Sequence, residues 1–523
     1  MAKVFTDTEK DKIKKQAQYI LAAMDDIGKN GDAYCTDEHL FRASKAVRPN
    51  LTGPQYHTDK TLLLQAEFLH REGYHLYAQR TWAYEVTAAK RLADILKDPT
   101  LPVLAIPKEL RVGDILLSEQ QREAVELALN SRLSVILGGA GSGKTTLIEA
   151  IAHCFKDNAD LFGGTVLAAP TGKAARNLTE RTGIDACTVH GALGKHPDTN
   201  FLDAVSWSNT GLVVIDEASM MSLEMLAGIL NRVRRNCRVV LLGDPNQLQS
   251  VGAGNVLPDL LELGVPSIRL AQQYRQSVDA VALRQNVVNF PKLNTEHELQ
   301  WDDSFRLLPA DDRAIPDLLC KEAARRYLAG ESIQVISPVK AKTGFSVQAL
   351  NTRLQNEVNP LTAKKPTWGK FRDGDRVIVT QNNRDYKVCN GDVGVLYIRG
   401  EKPHRVAILA VRGELKTWQI DRVPGEYGIR NDDPPPPQLA LAYALTVHKS
   451  QGSQYDTILM PASMATAKML YRNLLYTAIS RASKEVILVG SREAVNTAMQ
   501  CIPYPRKSKL VARTNLLRLK QSA

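Results

Sequence analysis

Short apolar runs alternate along most of the chain with stretches whose apolar residues recur every three or four positions. Leu133–Leu137, Thr165–Ala169, Leu212–Ile215, Arg238–Leu242, Gln334–Ser337, Thr457–Met460 and Glu485–Val489 are rich in Val, Ile and Leu and show little alternation. A strand reads this way when helices cover both faces of its sheet, as in a parallel sheet with crossover helices. The pattern predicts an α/β fold.

Two regions depart from it. Residues 1–110 read as a helical accessory domain, with helix spacing clearest over Thr81–Lys97, and end at Pro102 and Pro107. Between about 351 and 437 the pattern turns to short alternating strands, including Arg376–Thr380 and Val393–Ile398, with Asn390-Gly391 placed for a tight turn. A small β-barrel insert is expected there. The Pro434–Pro437 run that follows suits a rigid return linker or a ligand for a proline-reading module. No internal repeat is visible at the residue level.

The 523 residues are 44% apolar and 24% charged, which excludes disordered and fibrous classes and predicts several domains. Lys and Arg number 67 against 56 acidic residues, a formal charge of +11 that suits a polyanionic partner or a solvated basic surface. No stretch has the length and apolarity of a membrane span, and the start of the chain lacks the apolar core of a secretory signal, so a cytoplasmic protein is expected. The seven cysteines stand singly, without a CxxC pair, which argues against a disulfide framework or zinc site. From Tyr504 onward there are six basic residues and no acidic one, a solvated end or an electrostatic arm.

Candidate chemistry begins at Gly138-Gly139-Ala140-Gly141-Ser142-Gly143-Lys144-Thr145, set between an apolar strand and a helical stretch opening at Thr146. This is a P-loop: glycines let backbone N–H groups wrap a triphosphate, Lys144 neutralises its outer phosphates, and the Thr145 hydroxyl is placed to ligate Mg²⁺. Val213-Val214-Ile215-Asp216-Glu217 follows, an apolar strand ending in adjacent carboxylates. Asp216 suits the Mg²⁺ shell, and Glu217 suits activation of water. Gln247, after another buried strand, is placed to read the γ-phosphate, and Gln121 offers a bidentate amide to an adenine edge.

With these and further motifs in order from about Leu117 to Gly490, the chain resembles helicase superfamily 1, and within it the RecD-like family of ATP-dependent DNA helicases. Leu117–Val125 resembles the Q motif, Gly138–Thr146 motif I, Ala169–Arg176 motif Ia, Thr188-Val189-His190 motif Ib, Asp216–Ser219 motif II and Gly243–Leu248 motif III. Tyr274-Arg275-Gln276 is similar to motif IV, Leu441–Ser453 to motif V and Leu475–Ala482 to motif VI. Two departures stand out: Gln454 where relatives usually carry Glu, and Ser480 where Thr is common.

The resemblance implies two RecA-like motor domains with ATP between them, at 111–265 and at 266–350 with 438–500. It also implies an SH3-like 2B insert at 351–437, a short 1B hairpin within 194–211 carrying Phe201 and Trp207, and a basic tail at 501–523. It makes Arg275 and Arg481 arginine fingers from the second motor, Tyr274 an adenine-stacking residue and Gly452 part of the nucleotide site. Pro170, Thr171, Lys173, Thr188, His190, Thr446, His448 and Lys449 become contacts to a single strand, although each histidine equally suits a structural role. The expected enzyme uses ATP and Mg²⁺, moves 5′ to 3′ along single-stranded DNA and unwinds duplex as a monomer in replication, recombination or repair. Two alternatives remain open: a translocase or remodeller on DNA or RNA with little unwinding, and a non-catalytic subunit clamped by ATP.

Overall fold

The computed structural model describes residues 5–99, 101–139, 141–156, 162–194, 207–272, 275–290, 298–402, 404–421, 436–467 and 469–522. Two parallel sheets dominate. The first has six strands in the order Ser267–Leu270, Leu133–Gly138, Arg238–Gly243, Thr210–Ile215, Gly164–Ala169, Ala186–Thr188. Its central strands are buried along their whole length, as the unbroken apolar runs demand. Separate apolar clusters pack on its two faces.

The second sheet orders Phe305–Pro309, Ala482–Gly490, Tyr455–Ala462, Ile333–Ser337 and Ala444–Thr446, again all parallel. Ser267–Leu270 belongs to the first sheet although it follows residue 266, where the sequence reading begins the second motor. The crossing comes just after it: Ser277 N donates to Ser483 O at 2.9 Å, docking this stretch on the second sheet.

The insert is a five-stranded antiparallel sheet, ordered Glu414–Gln419, Val406–Val411, Val393–Arg399, Asp375–Val379, Leu439–Leu441. Its last strand extends it through Leu441, past the expected limit at 437. Asn390-Gly391 is not the hairpin turn itself. Residues 380–392 form a longer loop, braced by the Asn383–Val388 bridge, and Gly391 at φ +97° closes it onto Val379. Pro434 and Pro435 lie outside the described residues.

Among the described residues of the first hundred there are five helices, but also a three-stranded antiparallel sheet (Tyr34–Thr36, His75–Ala78, Leu69–Glu72) that helix spacing did not signal. The long helix Gln79–Lys97 packs on helix Leu223–Arg232, which follows the first sheet's strand Thr210–Ile215, and Arg91 Nε donates to Leu230 O at 2.7 Å.

The basic tail is neither a solvated end nor an arm. Leu510–Ser522 is a helix on Gln79–Lys97, and its bases meet carboxylates of the amino-terminal region: Arg513 reaches Glu72 at 2.5 Å and Glu85 at 2.9 Å, and Lys509 reaches Glu72 at 3.1 Å. Glu85 is fully buried, so a buried carboxylate holds the tail in place. Arg506 donates to Ser250 Oγ at 2.7 Å and to Gly254 O at 3.0 Å, tying the tail also to the loop after the first sheet's strand Arg238–Gly243.

Candidate nucleotide cleft and strand-binding edges

The P-loop leaves the strand Leu133–Gly138 and enters helix Lys144–Lys156. Gly141 and Gly143 both sit at φ +81°, a backbone region that side chains disfavour. At Gly141 space matters too: a Cβ there would lie 2.1 Å from Arg275 Cβ, so the loop and the incoming arginine touch backbone to side chain. Lys144 Nζ donates to Gly138 O at 2.6 Å and Gly139 O at 2.9 Å, which holds the ammonium across the loop. Ala140 and Tyr274 lie outside the described residues.

A cavity of about 570 Å³ opens over this loop between the two sheets. Gly141, Ser142, Gly143, Lys144, Thr145, Thr146, Gln121, Asp216, Glu217, Gln247, Arg275, Gly452 and Arg481 all line it. The sequence had scattered these side chains over most of the chain; the fold brings them to one place. Gln121 arrives with its amide oxygen already accepting from Ser118 N at 3.0 Å in a capping box, so its NH₂ group is the part left for an adenine.

Asp216 and Glu217 follow strand Thr210–Ile215 at its carboxyl end. Glu217 has φ +52° and ψ 38°, left-handed geometry that costs a non-glycine residue on the order of 1 kcal/mol and recurs at functional sites. Its N–H donates to Asp216 Oδ1 at 2.8 Å. Burial first, then the charge of Glu217, pushes the Asp216 carboxyl up to about 6, against the pull of Lys144. Together with the Thr145 hydroxyl this is a set of hard oxygen donors, the chemistry Mg²⁺ requires.

The far wall carries the arginines. Arg481 is 2% exposed, and its Nη2 donates to Gln247 Oε1 at 2.6 Å, joining the second sheet's last strand region to the loop after the first sheet's Arg238–Gly243. That loop is held further by Tyr476 OH to Asp244 Oδ2 at 2.7 Å and by Leu248 N to Thr477 Oγ1 at 2.9 Å. Helix Arg472–Ile479 is therefore docked on the candidate γ-phosphate sensor. Arg275 Nη1 donates to Ser480 O at 3.1 Å, and burial, with Arg481 next, lowers its guanidinium to about 10.

The candidate strand contacts follow the carboxyl ends of the two edge strands and, for Pro170, Thr171 and Lys173, of the strand next to the edge in the first sheet. Thr188 ends Ala186–Thr188 and caps helix Val189–Ala192, its Oγ accepting from Gly191 N at 2.9 Å. Thr446 ends Ala444–Thr446 and caps helix Val447–Ser450, accepting from Lys449 N at 3.3 Å. Thr-Val-His thus recurs at the matching place in both sheets, a short internal repeat that residue-level inspection passed over. Thr171 caps helix Gly172–Thr182 in the same way, accepting from Ala174 N at 3.2 Å, with Pro170 just before it. A threonine used as acceptor keeps its O–H for a phosphate oxygen. His190 is half-buried, whereas His448 is exposed.

Lys173 is placed otherwise. Its ammonium donates to Gly391 O of the insert at 3.1 Å and Ser453 Oγ of the second motor at 2.5 Å, and burial lowers it to about 8. It clasps three parts of the molecule together. Trp207 likewise turns inward: its indole N–H donates to Ala192 O at 3.1 Å and its ring packs on the first motor's core, so it is no exposed wedge. Phe201 lies outside the described residues.

Sequence reasoning missed several neighbours. Arg181, Asn177, Ile115 and Leu116 line the cavity, and Lys340, after strand Ile333–Ser337, sits beside Lys449, whose ammonium is lowered by burial and then by that like charge. The one signal available was helical spacing: Lys173, Arg176, Asn177, Glu180 and Arg181 share a face of helix Gly172–Thr182.

A P-loop, paired carboxylates and inserted arginines between two parallel sheets define a two-motor ATPase. Residues 116–304 match the model of an AAA domain and 441–489 that of a UvrD-like helicase C-terminal domain. The RecBCD enzyme subunit RecD of Mycolicibacterium smegmatis is 30% identical over 84% of this chain and 82% of its own length. The ATP-dependent RecD2 DNA helicase of Deinococcus radiodurans is 34% identical over 76% of this chain; the matched part spans 53% of that relative. A crystal structure of Bacteroides Pif1 bound to single-stranded DNA aligns with 78% of this chain and 98% of that one, at 20% identity and TM-score 0.46. The chain belongs to the RecD-like family of superfamily 1 ATP-dependent DNA helicases, and is an enzyme of that class.

Proposed function

We propose that the chain hydrolyses ATP between two motor domains to move 5′ to 3′ along single-stranded DNA and to part the duplex ahead. In this reading the P-loop motor and the second motor each hold the strand at an edge turn, the insert is an SH3-like 2B domain, and a monomer suffices. Replication, recombination or repair is the setting.

Lys144 and the loop N–H groups bind the triphosphate. Thr145 and Asp216 would hold Mg²⁺, which supplies charge neutralisation to the outer phosphates. Glu217 accepts a proton from the attacking water, and Arg275 and Arg481 oppose the charge that develops on the transferred phosphoryl group. Gln247 reports the presence of that group to Arg481.

The bond from Arg481 to Gln247 carries the proposal, because it makes a contact at the fuel also a contact between motors. Opening and closing the cleft then changes the distance between the Thr188 and Thr446 turns. The test is strand displacement on partial duplexes tailed at either end, run beside ATP turnover with DNA and RNA single strands. Unwinding from 5′ tails with DNA preference is expected; unwinding from 3′ tails alone refutes the polarity, and turnover without displacement favours a remodeller.

A further inference from the structure

Beside the nucleotide cavity lies a second one of about 320 Å³, and the two share Asn177, Arg181, Gly452, Ser453 and Gln454 as a common wall. Its walls come from helix Gly172–Thr182, from the loop after helix Val447–Ser450 and from the insert. Lys173, Arg176, Arg181 and Arg412 face it against two carboxylates, Glu180 and Asp392.

Three of the four cations are held. Arg176 pairs with Asp392 at 2.7 Å, Arg412 with Glu180 at 3.0 Å, and Lys173 is spent on Gly391 and Ser453. Arg181 is different: among the described residues no carboxylate pairs with it, and its one hydrogen bond is a long one, 3.5 Å to Thr145 Oγ1 of the P-loop. An exposed guanidinium with no paired carboxylate, within electrostatic reach of Asp216, thus stands where the two cavities meet, next to the residue expected at the metal.

In the function proposed above, hydrolysis cleaves the terminal phosphoryl group among Glu217, Gln247 and Arg481, which line the main cavity. In the same reading the diphosphate stays on the P-loop, within a cavity that Ile115 and Leu116 also line. A lateral way out must accept an anion of about two negative charges, and four cations against two carboxylates give the side cavity a matching excess.

We propose that this side cavity binds inorganic phosphate on its way out of the cleft, with Arg181 as its first contact. The inference rests on ATP being hydrolysed in the main cavity, as argued above. Because three separate parts of the chain build the walls, the passage changes shape as the motors and insert move, which ties product release to the mechanical cycle.

The experiment uses the full chain with single-stranded DNA and measures inhibition of ATP turnover by inorganic phosphate and, separately, by ADP, at ionic strength matched with chloride. Arg181→Gln is expected to raise the phosphate inhibition constant about tenfold, the worth of one charged hydrogen bond, and to change that of ADP by less than about twofold. Arg412→Gln, at the insert wall, should raise it by about threefold, and Arg181→Lys should restore part of the loss. An unchanged phosphate constant in either glutamine variant overturns the proposal, including the case where Arg181→Gln instead weakens binding of DNA or of ATP. Absence of turnover in the parent chain would refute the hydrolysis reading itself, a separate outcome.

Discussion

The first sheet ends at one edge in Thr188, a one-turn helix and a histidine; the second ends at its own edge in Thr446, a one-turn helix and a histidine. Val189 and Val447 are both buried beneath these turns. Away from the edges the sheets part company. The first carries the P-loop and the carboxylate pair, while the second has neither and contributes Arg481 instead. The difference separates two tasks. In the function proposed above, holding a backbone needs the same hydroxyl donors on both sides, whereas holding fuel is asymmetric, so that one side binds and the other completes the site.

The comparison predicts its own breaking points. Arg481→Ala should have the largest effect, lowering DNA-stimulated turnover by about 10³-fold or more while nucleotide still binds, measured by steady-state rate and nucleotide titration. A comparable loss from any edge-turn residue would erase the distinction between tasks. Thr188→Val and Thr446→Val should behave as a pair: each costs about 1 kcal/mol of stability through the lost cap and weakens single-strand binding by about three- to tenfold. Thermal melts and strand titrations on both variants would show a mismatch directly. Lys449→Gln should lower the slope of log affinity against log salt by about 0.7, equally for any strand sequence, as expected of one phosphate contact.

The smallest effect concerns Lys173, which belongs to neither task. Burial lowers its ammonium to about 8, whereas the unfolded chain keeps it at about 10.4. Below pH 8 both states are protonated and the burial penalty is fully present; between about 8 and about 10 the folded state gives up the proton first, so this group's contribution to stability rises with pH. Lys173→Met should therefore flatten the rise in melting temperature across that window relative to the parent.

Much of this was legible in the sequence, for a physical reason. Strands buried on both faces have no polar side to show, so runs such as Val213–Ile215 announce a parallel sheet, and a P-loop needs its glycines in fixed places. Long-range pairing leaves no such trace. Nothing near Arg513 hints that its partners are Glu72 and Glu85, more than 400 positions earlier, and a tail of unopposed bases consequently reads as solvated. Trp207 reads as a wedge until Ala192 O is found beneath its indole. Arg181 lies five residues past Arg176, where that motif ends, and only the fold turns it toward the P-loop.

The decisive measurement is the rate of ATP turnover by the whole chain with and without single-stranded DNA, repeated as salt is raised. A cleft closed by distant parts of the chain, and felt by a strand lying across both edge turns, predicts a stimulation of at least about tenfold that fades with salt. A rate that ignores added strand at every salt concentration would contradict the coupling of fuel to grip.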